Sequence, residues 1–171
     1  MYKMEGNTDL QVLIAKEGLG ELIASGSRDN VYRIGNSNYA AKFGRLDYFS
    51  HNDQVLGLEK EYRIAKKLHG EGVSVPKPEG VFGVKHPKRD GFFPCFVMEY
   101  IPPKKVRWYQ KRKVDRMYKH EIQKATELGY SVCDSYPQHN TLWSPKRKKI
   151  YLIDFEYWGE RQMLLFPNPC D

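Results

Sequence analysis

Three short runs, ELIAS (residues 21–25), VYRIG (31–35) and NYAAKFG (38–44), are separated only by the turn-forming stretches GSRDN and GNSN. Short runs rich in β-branched and aromatic residues, joined by Gly, Asn and Asp, favour antiparallel strands linked by tight turns. That arrangement constrains the chain more than any other feature in it. Two further strand-like segments follow, VSVPKPEGVFGV entering a strand after its prolines and FFPCFVMEY. Between the two groups, residues 53–69 (DQVLGLEKEYRIAKKLH) carry Leu56, Ile64, Ala65 and Leu68 in an apolar pattern, and GEG closes the segment. This predicts an amphipathic helix with a glycine-assisted end. A shorter helix is expected over residues 8–17, capped by Thr8.

The IPP stretch at 101–103 breaks the chain and separates residues 1–100 from 104–171. Beyond it Val114, Met117, Tyr118, Ile122, Ala125 and Leu128 recur at helical spacing, predicting one helix over about 105–128. A loop (SVCDSYPQHN), a strand (TLWS), a basic turn (PKRKK) and a second strand (IYLID) complete the pattern. The fold class expected is α+β, with five antiparallel strands and one helix before the break and a mainly helical remainder.

Of the 171 residues 40% are hydrophobic and 13% aromatic, a composition that builds a core and excludes a disordered chain. No apolar run reaches the roughly 18 residues of a membrane span. The N-terminus lacks a basic-then-apolar secretory pattern. Cys95, Cys133 and Cys170 are odd in number and widely spaced, which suits neither a disulfide scaffold nor a zinc site. A reduced cytoplasmic protein is the expectation. The net charge of +7 is local: residues 104–120 hold eight Lys or Arg against the single Asp115. Such a segment is either a solvated helix face or a site for an acidic partner or nucleic acid.

Several polar residues stand where the pattern predicts element ends or strand interiors. Gly26 opens the turn GSRDNVY, whose backbone amides can approach a phosphate or simply close a hairpin. Lys42 lies inside the apolar strand YAAKF, where a lysine either extends to solvent or meets an anion. Glu59 and Glu61 on the following helix are its candidate partners. Asp134 and Asn140 share one loop, and Asp154 ends the strand after it. Closing that hairpin brings Asn140 and Asp154 together, and their oxygens suit a hard cation such as Mg²⁺ beside phosphates. Each is equally at home as a turn or cap residue.

Taken in order, these segments resemble the protein-kinase-like superfamily, and most closely its atypical branches, the RIO-type and the choline and aminoglycoside kinases. GSRDNVYRIG resembles the short RIO-type phosphate loop, NYAAKFGR the strand with the nucleotide-binding lysine, and EYRIAKKLHGEGVSVPKP the helix and turn that follow. FVMEYI resembles the hinge strand, and LIDFEY the choline-kinase form of the metal-binding motif. The resemblance spans residues 20–158. It implies a minimal kinase-like fold, with an N-lobe over 1–100, a hinge at 101–103 and a reduced C-lobe over 104–171.

The implied activity is ATP- and Mg²⁺-dependent transfer of a phosphoryl group to a hydroxyl on a protein or small molecule. The implied nucleotide contacts are Gly26, Ser27, Val31, Lys42, Glu61, Met98, Glu99 and Ile101. Lys42 would act on the phosphates with Glu61 selected over Glu59 as its partner, Asn140 and Asp154 would hold the metal, and Asp134 would be the catalytic base.

The loop VCDSYPQHN departs from the family, with no His ahead of Asp134 and five residues rather than four before Asn140. His139 reads as structural, and Glu156 as a metal assistant or a turn cap. Seventeen residues follow Asp154, so the usual substrate platform is nearly absent and an oligomer formed through the reduced C-lobe is expected. These departures leave two alternatives: a pseudokinase that binds nucleotide or a partner without efficient transfer, and a basic nucleic-acid-binding protein using 104–120.

Overall fold

Glycine at position 35 is dictated by the turn between the second and third strands. Its φ of +47° lies in the left-handed region, and a Cβ there would fall 2.6 Å from a carboxylate oxygen of Glu17. Ser37 completes the turn, its N–H and hydroxyl both donating to the Ile34 carbonyl, at 2.9 and 2.6 Å. The structure, a computed structural model, describes residues 14, 16–25, 29–44, 51–85, 91–102, 104–131, 140–155 and 158–160. The helix expected over 8–17 lies mostly outside them.

The chain divides into two compact units: Met1–Lys66 with Lys77–Tyr100, and Lys67–Pro76 with Ile101–Asp171. In the first, β1 (Leu19–Ser25), β2 (Asp29–Ile34), β3 (Tyr39–Gly44), β4 (Pro78–Lys85) and β5 (Phe92–Glu99) form one antiparallel sheet in the order β1-β2-β3-β5-β4. The α+β class and the five-stranded antiparallel sheet are as expected. The register shifts within the β1–β2 and β4–β5 ladders, whereas β2–β3 and β3–β5 run without a break.

Side-chain alternation gives the sheet two faces. Tyr32, Ile34, Ala41, Phe43, Phe82, Val84, Cys95 and Val97 build a hydrophobic cluster with Ile14 on one of them. The opposite set includes Lys42 and its cross-strand neighbour Phe96, whose ring meets Tyr62 of α1 (His51–Gly70) edge-on at 6.1 Å.

Gln54, Leu58, Glu61, Ala65 and Leu68 form the buried stripe of α1 at spacings of four and three. Leu56, expected in that stripe, is 61% exposed. It stands two residues from Leu58, which turns it about 200° round the helix and onto the outer face.

Burial of Cys95 pushes its thiol well above the ordinary range. Because the thiolate is the reactive form, N-ethylmaleimide is expected to leave Cys95 unmodified in the native protein and to label it after unfolding. Native labelling, read by peptide mass mapping, would show that the cluster opens.

In the second unit the end of α1 closes as a Schellman motif. Gly72 takes φ +78°, Val73 donates its N–H to the Leu68 carbonyl at 2.9 Å, and Gly72 donates to His69 at 3.2 Å. The glycines of GEG thus serve the helix end expected of them. Buried Ser74 follows, and both its backbone groups are committed: its N–H donates to Glu121 Oε2 at 2.7 Å, and its carbonyl accepts from Leu152 at 2.8 Å.

Glu121 lies on α2 (Lys111–Glu127), where Val114 and Ala125 are also buried. This helix starts later than the expected residue 105. Arg107 is extended, and the side-chain carbonyl of Gln110 accepts its N–H at 3.1 Å, so the chain enters through a 3₁₀ turn over Trp108–Gln110. Gly129, with φ +88°, follows the far end.

β7 (Thr141–Ser144) and β8 (Lys149–Leu152) form the expected hairpin around a basic loop. The two-residue strands β6 (Tyr130–Ser131) and β9 (Gly159–Glu160), too short to leave a sequence pattern, also pair. No described helix is long and apolar enough to cross a membrane.

Candidate functional site

Lys42 stands in the middle of β3, paired with Val31 on one side and Phe96 on the other. An ammonium there, only 5% exposed, requires compensating charge. Glu61 supplies it from α1: Lys42 Nζ donates to both carboxylate oxygens, at 2.8 and 2.9 Å. Of the two candidate glutamates, Glu61 on the buried stripe meets the lysine, and Glu59 is off the stripe.

A second carboxylate completes the cluster. Asp29 Oδ2 lies 2.9 Å from Lys42 Nζ. Asp29 stands opposite Gly44 and Lys42 opposite Val31, so the two are diagonal neighbours on one face of the hairpin. Asp29 went unrecognised in the sequence because it falls within the turn-like GSRDN, where Asp is ordinary. The hairpin register was the signal that could have found it.

Met98 and Glu99 end β5, opposite Ala40 and Tyr39. The chain is pinned there from both sides: Glu99 donates its N–H to the Lys77 carbonyl at 2.8 Å, and Tyr100 donates to Asn38 at 2.8 Å. Ile101 is buried and belongs to the second unit. Val31 is half-buried. Gly26 and Ser27 lie outside the described residues; Ser25 and Asn30 pair across the β1–β2 ladder, with their side chains bonded at 2.8 Å.

At the open end of the β7–β8 hairpin, Thr141 pairs with Leu152, and Ile153 donates its N–H to the Asn140 carbonyl at 3.0 Å. Asn140 and Asp154 therefore flank the hairpin mouth, as the strand pattern anticipated. Asp154 has φ +65°, a left-handed conformation that non-glycine residues adopt uncommonly and that concentrates at functional positions. The backbone beyond it is anchored by Phe155, buried and edge-on to Trp158 at a centroid distance of 5.0 Å. The amide oxygen of Asn140 and the carboxylate of Asp154 form a donor set that suits a hard, oxygen-preferring cation. Asp134, His139 and Glu156 lie outside the described residues.

The site thus has two parts: a buried β3 cation held by one carboxylate of α1 and one of β2, and an Asn/Asp pair at a hairpin mouth. Comparison with models of known protein families and with curated proteins gives no match.

Proposed function

We propose that the chain is an ATP- and Mg²⁺-dependent phosphotransferase of atypical kinase type, acting on a hydroxyl of a protein or small molecule. The observation that carries this reading is the buried Lys42–Glu61 pair. A strand lysine held by a helix glutamate is what positions nucleotide phosphates in kinases, and a solvated surface lysine would need no such clamp.

In this reading Lys42 binds the α and β phosphates, and Glu61 orients it. Gly26, Ser27 and Val31 cover the nucleotide, while Met98, Glu99 and Ile101 border the adenine. Asn140 and Asp154 would hold Mg²⁺, which when bound neutralises charge on the phosphates. Asp134 orients the attacking hydroxyl and accepts its proton. The hydroxyl oxygen forms a bond to the γ-phosphorus as the bond to the β–γ bridging oxygen breaks, and ADP leaves. The irregular VCDSYPQHN loop supports a second reading, a pseudokinase that binds nucleotide without efficient transfer.

The test compares the purified chain with Asp154→Asn, chosen because Asn tolerates the left-handed backbone that Ala would strain. ATP with MgCl₂ is expected to raise the melting temperature of the unmodified chain, since a ligand bound only by the native state stabilises it. Release or transfer of γ-phosphate is expected above background and lost in Asp154→Asn. A thermal shift with equal background rates in both proteins selects the pseudokinase. The absence of both shift and turnover ends both readings.

A further inference from the structure

The second unit contains a half-open cleft of about 450 Å³ that the phosphotransfer reading does not use. It is lined by Trp108, Tyr118 and Trp143 together with Lys104, Lys105, Lys111 and Asp115. Trp108 is 88% exposed, and the neighbouring Tyr109 is exposed as well. A large aromatic ring left in water on a strongly basic segment has no role in the core, but it is a ready surface for stacking.

We propose that this cleft binds single-stranded nucleic acid, stacking a base on Trp108 and drawing the backbone along the lysines. Two observations point to a base rather than to a featureless polyanion. The first is the exposed ring itself. The second is Asp115, the single acid in the basic segment, placed in the cleft. A carboxylate repels phosphate but accepts from the exocyclic amine of a base.

The charge pattern favours a strand over a free nucleotide. Lys104, Lys105 and Lys111 all line the cleft, and three cations along one cleft suit the successive phosphates of a strand better than the single phosphate of a mononucleotide. A duplex, whose bases are already stacked on one another, cannot use Trp108.

Fluorescence anisotropy with a labelled 12-nucleotide single strand of mixed sequence, without nucleoside triphosphate, tests the proposal separately from phosphotransfer. The single strand is expected to bind more tightly than the same sequence as a duplex, and heparin to compete poorly. Trp108→Ala, at a side chain too exposed to support the fold, is expected to weaken binding by about 5- to 150-fold, the range for losing one stacked base. The salt slope of that variant stays unchanged, and Trp108→Phe recovers most of the affinity. The double variant Lys104→Ala/Lys105→Ala is expected to reduce the slope of log K against log salt by about 1.4. No binding, equal affinity for duplex, full competition by heparin, or an unaffected Trp108→Ala would each overturn it.

Discussion

Lys42→Met is expected to lower the unfolding free energy by about 3–5 kcal/mol at neutral pH, the range for removing one partner of a buried ion pair. The size follows from what remains. The side chains of Glu61 and Asp29 are 5% and 20% exposed, and both lie within 2.9 Å of the ammonium that would be lost. Without it, two like charges face each other where water screens them poorly. Protonating either one relieves the repulsion, so the deficit shrinks as pH falls through the carboxylate range: the native variant then binds protons more tightly than its unfolded chain. Replacing the whole cluster, in Asp29→Asn/Lys42→Met/Glu61→Leu, is expected to return most of the loss, because uncharged groups that pack well often match a buried ion pair. Urea denaturation reads both effects. A Lys42→Met loss below about 1 kcal/mol, the range of exposed pairs, would show that the clamp is not held in solution. The same expectation makes Lys42→Met a poor inactive control for catalysis, since lost fold and lost chemistry would be confounded.

Glu121→Ala is expected to destabilise by about 1.5–3 kcal/mol, the range for a hydrogen bond to a charged group. Its carboxylate accepts the N–H of Ser74, a residue only 1% exposed, whose carbonyl in turn accepts from Leu152 of β8. Alanine leaves that N–H buried with no acceptor, so the desolvation penalty is felt in full. Lys124, 3.3 Å from Glu121, adds a partly exposed ion pair of smaller weight. Glu121→Gln keeps an acceptor oxygen and removes the charge, and it is expected to lose less than half as much. Equal losses in the two variants, measured by thermal and urea unfolding, would assign the effect to the charge instead.

The parts of this structure legible in the sequence are those with local causes. The β2–β3 turn follows from Gly35 and Ser37, and the end of α1 from the GEG glycines, because each is set by residues within a few positions. Sheet order was not legible, since placing β5 between β3 and β4 depends on contacts distant in sequence. The choice of Glu61 over Glu59 came from resemblance, yet periodicity carries it too: Gln54, Leu58, Glu61, Ala65 and Leu68 share one stripe, and Glu59 does not. The same count removes Leu56 from the core. Asp29 was lost to its turn-like surroundings, and the late start of α2 to a basic segment whose charges suit helix and extended chain alike. The left-handed backbone of Asp154 has no sequence signature beyond the residue type itself.

The register shifts in the sheet have a consequence for how the protein behaves in a crowd. All three fall in the outermost ladders, two in β1–β2 and one in β4–β5, while the inner two ladders are regular. Outer strands present unpaired backbone groups that another chain can extend, and irregularities twist such borders out of line with an incoming strand. Pro78, at the start of β4, also lacks an N–H to offer. The sheet is therefore bounded at five strands by its own margins, and the regular pairing that holds Lys42 stays in the interior, where no foreign strand can reach it.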